Sequence, residues 1–142
     1  EEQTIGGAVV FFGDMKYYGS CGTATQEKNA AGFRLLAVDS SAKGQGLGKM
    51  LTNECIRRAK ESKLSQVIIH TTKAMQQAWK MYESIGFRRS EDLDFLQQGF
   101  PVFGFRLKYS CRLVPLPYSF QRHHLHQPPR IYFLSFKLGL QE

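Results

Sequence analysis

Cysteine is scarce in this 142-residue chain: only Cys21, Cys55 and Cys111, widely and irregularly spaced. An odd count so placed gives neither a disulfide framework nor a zinc-ligand pattern, so no metal is expected. A reducing cytoplasm is the simplest setting, with the thiols packed or mildly exposed. Long apolar runs are missing too. None approaches the roughly 18 residues that a membrane-spanning helix needs, and no membrane partner is expected. No charged-then-apolar leader opens the chain, which starts on Glu1-Glu2 rather than Met, so its true start is expected upstream. Acidic residues almost vanish at the far end, where Glu142 is the one acid among the last 33 residues.

What is present suits one domain with a real core: 42% of residues are apolar and 13% aromatic. The net charge of +7 admits an anionic partner such as nucleic acid, a membrane surface or a phosphate-rich cofactor. Residues 1–109 carry fifteen Lys/Arg against eleven Asp/Glu, so the main body is only mildly basic. Residues 110–142 hold four of the five prolines and three of the four histidines. Apart from a possible strand over 131–138 they show no period. They read as a basic extension outside the domain, or as non-native sequence from a displaced reading frame or vector.

Ile5–Phe12 (I-G-G-A-V-V-F-F) reads as a strand ending at Gly13-Asp14, and residues 13–30 as a long polar loop. Phe33–Val38 is a second strand. Next comes a glycine-rich loop, Lys43-Gly44-Gln45-Gly46-Leu47-Gly48, and a helix whose apolar face is Leu47, Met50, Leu51, Cys55 and Ala59. Gln66–His70 is apolar on both faces at its centre, as a strand covered on two sides is. Met75, Ala78, Trp79, Tyr82 and Ile85 share one face of a second helix, with Gly86 as its C-terminal cap. Phe87–Arg89 is a short strand, Asp92–Gly99 a polar loop and Val102–Tyr109 a last strand. This order predicts an α/β sheet with a phosphate-type site at the first strand-to-helix turn.

Backbone N–H groups at a helix start lack partners, and the helix dipole favours an anion there. Glycines let the chain approach such a ligand and adopt positive φ. Two phosphate-binding patterns fail. The P-loop needs G-x-x-x-x-G-K-[ST], but Lys43 stands five before Gly48, and Met50 follows Lys49. The dinucleotide fingerprint needs G-x-G-x-x-G, but Gly44, Gly46 and Gly48 are evenly spaced and position 49 is Lys.

Lys43–Gly48 resembles a third pattern, [RQ]-x-x-G-x-[GA], with which the GNAT superfamily of N-acetyltransferases holds the pyrophosphate of CoA. Lys43 stands where Arg or Gln is usual, keeping the charge but not the planar fork. The preceding strand ends Leu36-Ala37-Val38 and then Asp39, as the superfamily's L-x-V strand and acidic turn do. Downstream, Ala78-Trp79-Lys80-Met81-Tyr82-Glu83-Ser84-Ile85-Gly86-Phe87 matches its A-x-x-x-Y-E-x-x-G-F motif throughout. The resemblance covers roughly residues 4–109.

It implies an α/β, GNAT-like mixed β-sheet flanked by helices, N-terminally truncated. The superfamily's fold begins with a strand, two helices and another strand before the one assigned to Ile5–Phe12. A second copy or a separate chain would supply them, which makes a homo-oligomer one expected form, or else the chain is a fragment of a longer protein. The organisation implied is a partial acetyltransferase domain over 1–109 and the extension over 110–142. The chemistry implied is acetyl transfer from acetyl-CoA to an amine acceptor. Leu36, Ala37 and Val38 would offer main-chain groups to the pantetheine and thioester. Lys43, Gly44, Gln45, Gly46, Leu47, Gly48 and Lys49 would take the pyrophosphate. Tyr82 would protonate the departing CoA sulfur. Met75 stands where an Asn often flanks the pantetheine, with Gln76 and Gln77 beside it. Lys49, Lys73 and Lys80 are candidates for the CoA 3′-phosphate.

From the residues alone, Tyr82 also reads as a core aromatic and Trp79 as core. His70 is a candidate general base, with a structural histidine as the plainer reading. Glu83 should point away from Tyr82. Three functions compete: an acetyl-CoA-dependent N-acetyltransferase, a CoA-binding fragment without turnover, and a nucleic-acid binder. The last ranks lowest because no reading motif for nucleic acid is present.

Overall fold

The apolar period changes from two to about 3.6 and back along the chain, and strands and helices follow it. The computed structural model describes residues 4–19, 21–109 and 129–136. Its strands are β1 (Thr4–Phe12), β2 (Ala30–Val38), β3 (Gln66–Thr71), β4 (Arg88–Arg89), β5 (Phe95–Gln97), β6 (Phe100–Lys108) and β7 (Arg130–Phe136). Its helices are α1 (Leu47–Glu61) and α2 (Gln76–Ile85). The sheet order is β4-β6-β3-β2-β1-β7, with β5 paired to β6. β2 and β3 are parallel and the other pairs antiparallel, so the sheet is mixed.

The helices cover one face. Leu51, Cys55 and Ala59 of α1 and Tyr82 of α2 pack on Val9, Phe33, Val67, Ile69 and Phe105. The other face is covered by short 3-10 turns at Met15–Tyr17, Thr23–Gln26 and Glu91–Leu93. There Met15, Tyr18, Ala24 and Leu93 pack with Phe12 and Ile68. Two glycines set how closely these turns approach. A Cβ on Gly32 would lie 2.7 Å from the Tyr18 ring. A Cβ on Gly104 would overlap Leu93. β3 is therefore buried on both sides, as its composition predicts.

Several expectations are corrected. Met50 is 46% exposed, and Thr52 and Ile56 take its place on the buried face of α1. Met75 is not on the buried face of α2; it sits at the N-cap, half exposed. Residues 13–30 contain two 3-10 turns rather than a plain loop. The polar stretch Asp92–Gly99 contains β5, which turns into β6 through Gln98 and Gly99, both at positive φ. That is the backbone of a tight two-residue hairpin.

At the far end, β7 pairs along β1 from Thr4 to Phe11, so residues 130–136 extend the sheet. The rest of the proline- and histidine-bearing extension, with Cys111 and residues 137–138 of the expected strand, lies outside the described residues. No helix among the described residues is long and apolar enough to cross a membrane. Among them, no cluster of three His, Cys, Asp or Glu side chains is placed to hold a metal.

Candidate active site in the cleft between the parallel strands

The parallel strands part company early. β2 and β3 pair at Ala30, Ala31 and Gly32, opposite Gln66, Val67 and Ile68. Beyond Gly32, β2 runs on to Val38 with no strand on its β3 side among the described residues, while β1 occupies its other edge. This leaves a wedge lined on one side by an unpaired strand edge. Such an edge receives an extended, amide-bearing ligand as it would a further strand. Leu36, Ala37 and Val38 lie on it.

A bulge shapes this edge. Between Val10 and Ala8, β1 advances two residues while β2 advances three, from Arg34 to Ala37. Leu35 sits in the bulge at φ 55, a left-handed conformation uncommon for a branched side chain, and is 75% exposed. The extra residue resets the alternation: Phe33 and Leu36, three apart, both pack against the helix-side core. Val38 follows on that face, with Cγ2 3.8 Å from the Cβ position of Gly48.

The loop from β2 to α1 closes the wide end of the wedge. Asp39 starts it: its N–H donates to Gly6 O at 2.8 Å, and its carboxylate accepts from Ser41 N at 2.9 Å. Hydrogen bonds from Ser41 hold the Asp39 carboxyl below its usual range. Gly44 and Gly46 have φ of 80 and 77, with open space where a Cβ would stand. Their need for glycine is therefore conformational rather than steric. Gly46 is the N-cap of α1 and offers no side-chain acceptor, and the first turn carries no acidic residue. The early N–H groups are thus uncapped. Lys43 and Lys49 flank this positive helix end, both exposed, and neither makes an ion pair or hydrogen bond among the described residues. Cations at a helix start oppose the dipole unless an anion joins them, so the arrangement is chemically suited to an anion. Gly48 links the parts: its Cβ position lies 3.5 Å from Met81 Sδ of α2 as well as near Val38.

Next to Met81 stands Tyr82, 5% exposed, with its ring centroid 6.0 Å from that of Phe33 and 5.7 Å from that of Phe87. Burial, with a smaller effect of Cys55, pushes its phenol up to about 12. The group is protonated at neutral pH and so has a proton to donate. The loop, Val38 and the start of the Tyr82 turn are therefore brought together. Met75 stands at the N-cap of α2, half exposed. Trp79 packs edge-on against Phe103 and Phe105 and donates to Glu83 Oε1 at 2.9 Å. That i,i+4 bond holds the Glu83 carboxylate along the surface of α2.

His70 faces the opposite side of the sheet. Its Nε2 is 2.8 Å from Leu93 O and its Nδ1 is 2.9 Å from the Tyr18 hydroxyl. A carbonyl can only accept, so Nε2 carries the proton and Nδ1 accepts from Tyr18. Burial lowers the His70 pKa, with the Leu93 bond opposing and the Arg34 charge assisting. Burial likewise raises that of Tyr18. The ring is satisfied and neutral, a structural tie between β3 and two of the covering turns. Tyr18 and Arg34 attracted no attention in the sequence, where they read as a loop tyrosine and a strand residue. The packing of the loop before β2 is what brings the two together.

Comparison with known proteins fits this geometry. The Acetyltransferase (GNAT) domain family matches residues 7–109. A zebrafish (Danio rerio) N-acetylaspartate synthetase is 32% identical over 103 residues, which is 72% of this chain and 35% of that protein. The chain thus spans about a third of the length of this curated relative. Among solved structures, an IAA acetyltransferase from Bacillus cereus has 17% identity and a TM-score of 0.51, covering 58% of this chain and 64% of that one. An acetyltransferase of Bacillus subtilis solved in complex with CoA has 21% identity and a TM-score of 0.51, covering 59% and 64%. These likenesses speak to the fold.

Proposed function

The chain belongs to the GNAT acetyltransferase family and has its mixed α/β fold, and we propose that it transfers an acetyl group from acetyl-CoA to a primary amine of a small molecule or protein. The observation that carries this reading is the uncapped, lysine-flanked start of α1 lying beside an unpaired stretch of β2. An anion site and an amide-binding edge, joined end to end, suit a ligand with a pyrophosphate at one end and two amides further along. The relatives solved with CoA support the same ligand.

On this reading the N–H groups of Gly44–Lys49 hold the pyrophosphate, and Lys43 adds charge. Leu36–Val38 align the pantetheine, with Met75 near the arm. The amine nitrogen attacks the thioester carbonyl, the C–S bond breaks, and the sulfur leaves as a thiolate. Tyr82 donates a proton to that sulfur and recovers one from the water or amine side, so one amine proton ends on CoA. Positioning the two reactants and supplying a proton to the leaving group are the main contributions required. The acetyl-transfer unit is assigned to residues 1–109, since all these residues lie there.

A CoA-binding unit without turnover is the second reading, favoured by Met75, which has no amide to offer the pantetheine. Calorimetric titration of acetyl-CoA, followed by thiol detection of CoA release with a panel of amines, separates the two. The panel includes aspartate because of the relative's name. Absence of binding sinks both readings. Binding without release on any amine leaves the second.

A further inference from the structure

Ordinary alternation after Phe33 places Arg34 on the face of β2 that the helices do not cover, just past the last β2–β3 pair at Gly32. Its Nη1 donates to Tyr18 O at 2.8 Å and to Gly19 O at 2.6 Å. The guanidinium lies over the Tyr18 ring, 5.6 Å from its centroid. These contacts fix the head group but use only one of its three nitrogens. Among the described residues no carboxylate pairs with it. Arg57, Arg58, Arg89 and Arg106 are each bridged to Asp or Glu; Arg88 also has no ion pair among the described residues, but it is exposed, whereas Arg34 is half-buried. Asp94 is engaged with Arg89, and Glu27 and Asp92 with Arg106.

A half-buried, oriented guanidinium without a counter-ion is a fork open to an anion, and its planar geometry matches a carboxylate. Phosphate chemistry is already served at the other end of the wedge, on the helix side. Tyr82 also approaches from the helix side, which leaves the Arg34 side for an incoming amine. We propose that Arg34 anchors a carboxylate of the acceptor, so that the acceptor class is a small amine bearing a carboxylate, as amino acids do. This rests on the acetyl-transfer reading above and names its substrate class.

The test uses the full chain saturated with acetyl-CoA and a set of amino acids, among them L-aspartate, L-alanine and L-leucine, each against its carboxamide. The amides keep the amine and lose the carboxylate. Wild type should favour acids by roughly 10–100-fold in kcat/KM, the worth of a charge-assisted fork. Arg34→Gln should erase that preference through KM while amide acceptors stay within about twofold, and Arg34→Lys should keep part of it. Equal loss for acids and amides in Arg34→Gln would make Arg34 only a tie for residues 18–19 and overturn the proposal. So would a wild type indifferent to the carboxylate. If no amine is turned over, the acetyl-transfer reading fails, and calorimetry of acid against amide on the CoA-loaded chain still decides. Tighter acid binding that Arg34→Gln abolishes upholds the anchor, and equal binding refutes it.

Discussion

Substituting Gly48 by alanine should move stability and ligand binding in opposite directions. Gly48 is the second residue of α1, in ordinary helical conformation. An added Cβ meets Met81 Sδ at 3.5 Å, Val38 Cγ2 at 3.8 Å and Met81 Cε at 4.0 Å, ordinary contact distances. No strain follows, and the chain gains helix propensity and loses unfolded-state entropy. The full Gly-to-Ala difference is about 1 kcal/mol in a helix interior, so roughly 0.5 kcal/mol is expected in a first turn. For a domain of this size that raises Tm by about 2–3 °C. The same methyl group stands where Val38, Met81 and the uncapped helix start converge, the place proposed for the CoA phosphates. It should weaken CoA by roughly tenfold, about 1.4 kcal/mol. Gly46→Ala is the companion. Its φ of 77 meets open space, so its cost is conformational, about 1 kcal/mol, and falls on stability and binding together. Urea unfolding and calorimetric CoA titration of the three proteins read both axes. A Gly48→Ala protein that is stabilised yet binds CoA as tightly as wild type would refute the placement of the phosphates at this helix start.

Tyr82→Phe should leave stability within about 0.5 kcal/mol, because the Tyr82 hydroxyl makes no hydrogen bond among the described residues. It should lower kcat by roughly 10²–10⁴ with KM for acetyl-CoA little changed, as steady-state kinetics would report. Gly104→Ala must push Leu93 off β6. A loss of about 2–3 kcal/mol in chemical denaturation is expected. Burial depresses His70 in the folded state, with the Leu93 bond and Asp94 opposing and the Arg34 charge assisting. Its contribution is therefore complete above the unfolded value near 6.5 and is lost as pH falls towards the lower folded value. Urea midpoints taken from pH 7.5 to 5 should fall for wild type and flatten for His70→Gln. An equal slope in both would assign the pH dependence to other groups.

The parts of the site legible in the sequence are those in which a local rule suffices. Glycines at 44 and 46 announce positive φ, and the apolar rows at 51, 55 and 59 announce the helix that follows. Gly86, at φ 116, caps α2 as its place after Ile85 suggested. What escaped depends on distant partners. The bulge at Leu35 exists only in the register of β2 against β1, and F-R-L-L-A-V gives no sign of it. The hairpin at β5 was hidden because Gln98, not Asn or Asp, precedes Gly99 in its turn. The 3-10 turns before β2 have too few residues to show a period. Tyr18 is placed by the missing side chain of Gly32, a relation between loop and strand that no window of sequence contains.

These long-range features divide the labour of the sheet. The helix-covered face holds the uncapped start of α1 and the protonated phenol of Tyr82. The face covered by short turns holds Arg34, Tyr18 and His70. A sheet with continuous pairing would keep the two faces apart, since side chains on opposite faces do not meet across a closed ladder. The early end of β2–β3 pairing at Gly32 removes that barrier over residues 33–38. The bulge then adds a residue where the two faces become mutually accessible. If acetyl transfer occurs in this chain, its two reactants have one place to meet, and each is served from its own face. A change confined to one face, such as Gly48→Ala or Arg34→Gln, should then act on one reactant and leave the affinity for the other nearly untouched. Strong coupling between those two substitutions in CoA binding would mean that a single site on one face handles both reactants, and the division of faces would be wrong.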